Sequence, residues 1–421
     1  MSRPEPKDVR IPLLYDMYLQ QSLEWPSYAC AWGDKDPNSE NGSQTLYMSR
    51  STTAEQLDSS LPGQWKGRPN AIEVYHVDSD SARLYCSKKF IHPGEVNRIR
   101  VCHQHGDIIA THSDCPEVFV WNSNTQPNRQ LRVDAECSVP DIILKGHTKN
   151  APYALDFNSQ EPLIISGGSD NNIHLWSLED EVHIVKDGER TLRTLPSRQH
   201  FRGHSASVED CAFHPLSPFI FVSVGDDCAM RLWDSRDGTD PVASAKNLHA
   251  KDINSVSWNK QNEMLLLSGG SDHLVKISDI RYIRNQTKKS PALQTFSCLE
   301  GSVTTVQWSP HSSSYFATAS EDGMMLIFNR DRKPLSDDQP GLPEEIFFRH
   351  IGHGKSPVVD FDWNSRDPWT IATVSDDADT YGGGTLQVWR LSELLTGNDD
   401  QLQQDIAKSL ELMDKSSRSS Q

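Results

Sequence analysis

Between residues 203 and 236 the chain reads GHSASVEDCAFHPLSPFIFVSVGDDCAMRLWDSR, and its apolar positions fall into three short alternating runs. The runs at 208–213, 219–224 and 229–233 predict three strands, because residues two apart in an extended chain share one face. The polar turn Gly225-Asp226-Asp227 separates the last two. This rhythm recurs. His92 and Trp121, His147 and Trp176, and His204 and Trp233 are each 29 residues apart, and His249 to Ser278 and Leu299 to Phe328 keep the interval with other residues at the ends. His353 to Trp389 stretches to 36 through an insertion around residues 380–384. Less regular β segments at 28–32, 44–48 and 71–77 precede these six units and predict an irregular first one, making seven in all.

Interior positions repeat as well. Nineteen residues after each leading position stands a hydroxyl, Thr111, Ser166, Ser223, Ser268 or Thr318, with Thr373 one place later in the last unit. Twenty-three after it stands an acid, Asp170, Asp227, Asp272 or Asp322, with Cys115 breaking the series and Asp377 offset by one. His, Ser/Thr, Asp and Trp at these offsets can join into one hydrogen-bonded chain across three strands, which fixes register because each buried polar group needs its neighbour. The set resembles the structural tetrad of WD-repeat propellers. A Ser/His/Asp catalytic triad uses the same residue types, but a triad is a single constellation and this one recurs unit after unit. The predicted fold is therefore all-β, a seven-bladed WD-repeat β-propeller over residues 25–396. Blades bury their faces against one another. Which strand ties the first blade to the last is not evident from the pattern.

The flanks read differently. Residues 1–10 are expected to be disordered, and 11–24 to form an N-terminal α-helix, from Pro12 at a first helical position to a stop at Pro26. Its apolar residues make two stripes, Leu14, Met17 and Tyr18, and Tyr15 with Leu19. One wide face packed on the body accounts for them, and so does a second stripe that seats a partner. Residues 177–202 read as a polar, mobile surface loop. Residues 397–421 form a tail in which Leu402, Ile406, Leu410 and Met413 recur at helical spacing, predicting a short C-terminal helix before a disordered end.

Composition narrows the functional classes. The 421 residues are 36% apolar and carry a formal charge of −17, which disfavours direct nucleic-acid binding and suits a basic protein or peptide. Eight scattered cysteines with no CxxC pair, and no apolar leader, predict reduced thiols in an intracellular setting. No apolar run approaches the roughly 20 residues of a membrane helix. Cys102-His103-Gln104-His105, with His92, His112 and Cys115 nearby, lacks paired ligand spacing and is read as turn residues, so no metal or other cofactor is expected.

The opening IPLLYDMYLQQSLEWPSYACAW, the run HPGEVNRIR, the repeat GHSASVEDCAFHP and the ending FFRHIGHGKSPVVDFDWNSRDPWTIATVSDD resemble the histone-binding WD-repeat family of retinoblastoma-binding and chromatin-assembly subunits, the MSI family. KKFIHPGEVNRIR, THSDCPEVFVWNSNTQPNR, DPWTIATVSDD and GGGTLQVWRLSELL are most similar to its plant FVE branch.

The resemblance implies two histone-binding surfaces. One is a groove between the N-terminal helix and an acidic loop of blade six at 329–345, where Asp337, Asp338, Glu344 and Glu345 would pair with a basic histone helix and Leu14, Met17, Tyr18 and Phe348 would supply apolar contact. The loop departs from the family in Leu342-Pro343, and beyond it Arg349 stands where the family commonly has an aliphatic residue. The other is an acidic channel on the narrow face of the ring for basic tails. Its matching positions are Glu95, Asn97, Arg98, Tyr153, Glu209, Asp252, Asn254 and Asp376, whereas Asn150, Pro152, Ser302 and Thr304 replace family residues.

Residues 221–236 also match the WD box of cullin-RING ubiquitin-ligase substrate receptors, with Asp227, Trp233, Asp234 and Arg236 at its defining places. The leading expectation is a non-enzymatic histone-binding scaffold subunit of deacetylase, Polycomb-type or chromatin-assembly complexes. It would repress transcription, chiefly in the nucleus and also in the cytoplasm. The alternative is a ubiquitin-ligase substrate receptor that engages a cullin-RING adaptor.

Overall fold

The computed structural model describes residues 14–35, 43–52, 55–56, 65–66, 69–132, 135–187, 190–285, 292–332, 345–377 and 383–396. Seven sheets, antiparallel but for one added pairing in blade two, form the blades of a propeller. Blade four is the regular unit: Val208–Phe213, Ile220–Gly225, Met230–Asp234 and Ala243–Ala245 pair in sequence order. Its inner strand leaves only Glu209 and Ala212 half-buried, while the second strand is buried on both sides after Ile220 because a blade lies against each of its faces. One apolar cluster fills each space between neighbours: Val222, Leu232, Val256 and Trp258 join blades four and five, and Trp32, Leu46, Val374 and Val388 join blades one and seven. No helix of the described residues is long and apolar enough to cross a membrane.

The repeated polar residues meet as their spacing requires. His204 Nε2 lies 2.6 Å from Ser223 Oγ, Trp233 Nε1 donates to the same oxygen at 2.9 Å, and Asp227 holds His204 Nδ1 at 3.1 Å. His147 and His249 form the same contacts with Asp170 and Ser166, and with Asp272 and Ser268. In blade two His92 reaches Thr111 at 2.9 Å without an acid. Blade six has Leu299 in place of His, and its Thr318 Oγ has no hydrogen-bond partner.

Two expectations are corrected. Residues 15–22 are not helical: Tyr15–Ser22 is a strand, antiparallel to Thr385–Leu391 from Tyr15 opposite Leu391 to Ser22 opposite Thr385. It supplies the outermost strand of blade seven and so closes the ring. The third strand of that blade otherwise presents unpaired N–H and C=O groups along its edge, and pairing them outweighs a helix that would satisfy only itself. The stretch 177–202 is not a structureless loop. His183–Asp187 and Arg190–Pro196 form a hairpin whose second strand pairs parallel with Ile142–Lys145, widening blade two to six strands, and Gln199–Arg202 is the outer strand of blade three. The disorder expected at 1–10, the start of the helix before Leu14, most of the acidic loop and the C-terminal helix lie outside the described residues.

Candidate functional site

The innermost strands of the blades line the axis of the ring, and each has an edge no fifth strand covers. Side chains of neighbouring blades satisfy it. Asp210 Oδ2 accepts Val256 N at 2.9 Å, Asp156 Oδ2 accepts Phe213 N at 2.7 Å, Asp360 Oδ2 accepts Cys30 N at 3.1 Å and Asp362 Oδ2 accepts Trp32 N at 2.8 Å. Burial pushes Asp156 up to about 6 and raises Asp360 and Asp362. Asp156, Asp210 and Asp362 border a cavity of about 480 Å³ that also takes in Arg100 and Lys260.

Several of the expected tail-binding residues come together near the starts of these inner strands, with Asp376 just after the second strand of blade seven, Thr370–Ser375. Glu95 is raised by burial and then by the nearby carboxylates Asp114 and Asp376. Burial raises Tyr28 to about 12, helped by Asp376, Glu95 and Tyr153. Tyr153 is 42% exposed and adjoins Glu209. Burial drives Glu209 up to about 7, and exposed Asp226 is raised by burial and then by Asp252. Glu95, Tyr153, Glu209, Asp252 and Asp376 therefore share an acidic rim whose members repel one another electrostatically, an arrangement a Lys or Arg side chain relieves.

Asn254 and Arg98 serve the scaffold instead. Asn254 Nδ2 donates to Val303 O at 2.7 Å and its Oδ1 accepts from Ser271. Arg98 is buried, donating to Tyr153 O at 3.1 Å and pairing with Asp360 at 3.3 Å, so it positions the Tyr153 backbone. Asn97 is half-buried on the same strand. Tyr28 and Asp226 were missed by sequence reasoning because neither carries a motif; their place in the turns beside Glu95 and Asp252 appears only on closure.

The second surface lies where blades six and seven meet. Met17, expected in the groove, is 3% exposed within the core, a consequence of the strand that replaces the helix. Phe348 is buried as well, edge-on to Tyr15 at 5.6 Å. Leu14 and Tyr18 are half-buried on that core, as are Tyr315, Phe347 and Trp369, which sequence reading did not single out. Tyr315 and Phe347 each contact Trp369, at 4.8 and 5.4 Å. This partly open aromatic group flanks the points where the acidic loop leaves after Arg332 and returns at half-buried Glu345; Asp337, Asp338 and Glu344 lie outside the described residues.

The box residues divide. Asp227 and Trp233 belong to the hydrogen-bond network. Arg236 is 59% exposed, forks onto Asp234 at 2.9 and 2.7 Å, and lies over the Phe219 ring at 4.8 Å. Blade five repeats the fork one blade away, Arg281 meeting Asp279 at 2.6 and 3.0 Å. Ser278 stands there in place of Trp, which hid the second pair from motif reading.

The His/Cys residues around 102–115 do not converge on one point. His92 contacts Thr111, His112 contacts Ser166 at 2.8 Å, and Cys102 Sγ faces Gln104.

Comparison with known proteins agrees with this architecture. The WD domain, G-beta repeat model matches residues 139–177, 195–234, 244–279 and 291–329. A second family model, that of the histone-binding protein RBBP4 and its counterpart in the CAF1 complex, matches residues 8–79, which include the closing strand and most of blade one. The WD-40 repeat-containing protein MSI4 of Arabidopsis thaliana is 39% identical over 428 residues, covering 94% of this chain and 83% of its own length. Proteins of this kind are generally non-catalytic scaffolds, and MSI-family chromatin proteins are generally nuclear. With repeats, N-terminal region and nearly the whole length in agreement, the chain belongs to the MSI/RBBP4-type family of histone-binding WD-repeat proteins.

Proposed function

We propose that this protein is a nuclear, non-enzymatic scaffold that holds core histones within chromatin-modifying complexes of the deacetylase, Polycomb or chromatin-assembly type and thereby represses transcription. The acidic rim carries this reading: Glu95, Glu209, Asp252 and Asp376 ring the narrow face of a chain with charge −17. Basic tails would bind the rim, and a histone helix would lie against Leu14, Tyr18, Phe347 and Trp369 with Asp337, Asp338, Glu344 and Glu345 pairing its basic residues. The decisive experiment is retention of histones and of isolated tail peptides. Charge reversal at Asp337 and Asp338 should abolish retention of the histone helix, and Glu95→Gln with Glu209→Gln should weaken tail binding about tenfold. Equal retention by all variants would overturn the reading.

The two Asp–Arg forks on adjacent blades, each presenting an exposed arginine, favour a second activity, docking a cullin-RING adaptor. Arg236→Ala, alone and with Arg281→Ala, should abolish adaptor capture and leave histone retention unchanged; undiminished capture would exclude the forks as the adaptor seat.

A further inference from the structure

In blade four the acid of the hydrogen-bond network has a cation delivered from the third strand. Arg231 Nη1 lies 2.8 Å from Asp227 Oδ2 and 2.7 Å from His204 Nδ1, 27 residues after that histidine. Blade five has Lys276 at the same position. Blade three has His174. This side chain is 7% exposed, and its Nδ1 has no hydrogen-bond partner. Its ring meets that of His147 edge-on, with centroids 4.4 Å apart. That unpartnered Nδ1 offers a lone pair beside His147 and Asp170.

Asp170 thus lacks the fixed cation that Asp227 has. One nitrogen from each of the two imidazoles and a carboxylate oxygen of Asp170 lie within 4.8 Å of one another. Among the described residues this is the one group of three such side chains close enough to share an ion. Two glycines leave room around it. A Cβ on Gly146 would come within 2.7 Å of His174 Nδ1, and one on Gly168 within 2.8 Å of His147 Nδ1 and 3.2 Å of Asp170 Oδ1.

We propose that His147 Nδ1, Asp170 and His174 Nδ1 form a transition-metal site in blade three, suited to Zn²⁺. Two imidazoles and one carboxylate with space for a further ligand are a donor set that zinc accepts. Ligand atoms around a tetrahedral zinc stand about 3.4 Å apart, so the site closes by a small turn of the His174 ring. The ion takes the place of the proton on His147 Nδ1, and His147 stays a neutral ligand because it then carries its proton on Nε2, where Ser166 Oγ accepts it. Ser166 Oγ already orients His147 through Nε2 at 2.7 Å and receives His112 at 2.8 Å, which gives the ligand outer support. Exposed His200, paired with His174 across the strands with its ring 6.0 Å away, can add a fourth ligand.

The test uses the full chain, stripped of metal and titrated with Zn²⁺ by calorimetry in two buffers of different ionisation enthalpy, and with Co²⁺ by visible absorption. Wild type should show one saturable site with the same enthalpy in both buffers, a cobalt d–d band and a thermal midpoint raised by several degrees in excess zinc. His174→Leu copies Leu326 at the same position of blade six, and His174→Arg copies Arg231, so both side chains suit that strand. Each should lose at least tenfold in zinc affinity at this site and lose the cobalt band, with the metal-free melting temperature near that of wild type. Wild type without a site tighter than about 100 µM, or variants that bind with unchanged affinity and an unchanged band, would overturn the proposal.

Discussion

At the scale of single residues, the hydrogen-bond networks separate chemistry from register. Ser223 Oγ is the hub between His204 Nε2 and Trp233 Nε1, all three buried. Ser223→Ala strands two ring nitrogens away from water and should cost about 2–3 kcal/mol in denaturant unfolding. Thr318→Val is the contrast: that hydroxyl already lacks a partner, so its loss should change stability by less than about 0.5 kcal/mol. Acid should weaken the fold through the same groups. Burial holds His92 and His353 down at about 3 and His350 at about 4. Below the ordinary histidine value the unfolded chain therefore binds protons that the folded one refuses, and stability falls with pH. Asp170, Asp227 and Asp272 extend the loss. Burial alone would raise them, but hydrogen bonds from His147, His204 and His249 hold them below the usual carboxylate value. Their contribution is present above that value and disappears beneath it. Asp156, raised to about 6, acts in the opposite sense, losing stability as pH rises through that value, yet the lowered histidines outnumber such groups. The melting temperature should fall steadily from pH 7 to 5, and the fall should be shallower in His353→Gln.

At the scale of elements, the closing strand shows where local pattern fails. Leu14, Met17 and Tyr18 have helical spacing, while Tyr15, Met17 and Leu19 alternate as in a strand, so residues 14–19 satisfy both periods. What decides is Thr385–Leu391, an edge more than 360 residues away in the chain that no window of sequence contains. The blade strands were legible because their alternation and turns are local and repeated, and the hydrogen-bond networks because their offsets recur. The hairpin at His183–Asp187 and Arg190–Pro196 was misjudged on charge, although Asp187-Gly188 between two β-rich runs is a turn signal. Of the candidate site, the acidic rim was legible through the resemblance, whereas the fates of Arg98, Met17 and Phe348 depended on neighbours in other blades. Met17→Asp would bury a carboxylate between blades one and seven and should cost about 3 kcal/mol or more, releasing the closing strand, as hydrogen exchange at residues 15–22 would report. The turn after each network acid gives a smaller effect. Asn171, Cys228, His273 and Gly323 all take positive φ there, 64°, 56°, 65° and 82°. Only glycine adopts this conformation without strain, so Cys228→Gly should stabilise blade four by about 0.5–1 kcal/mol.

At the scale of the whole molecule, ring closure turns scattered turn residues into one electrostatic device. None of Glu95, Glu209, Asp252 and Asp376 is near another in sequence, and each comes from a different blade. A basic side chain entering the rim would stabilise the charged form of Glu209, which burial holds at about 7 in the unbound protein. Binding must then release a proton wherever Glu209 starts protonated. Affinity for a Lys/Arg-rich tail peptide is therefore expected to rise about tenfold between pH 6 and pH 8. Glu209→Gln should remove that slope and leave the variant about five- to tenfold weaker at pH 8, near 1 kcal/mol. Salt provides a second, independent axis. The Debye length is about 10 Å at 0.1 M, so raising salt should weaken binding through every member of the rim. Neutralising Glu95 and Asp252 should flatten this dependence without touching the pH slope that belongs to Glu209. Fluorescence anisotropy with a labelled peptide over both variables separates the contributions. A pH slope that survives Glu209→Gln would place the tail away from this rim, whatever its affinity.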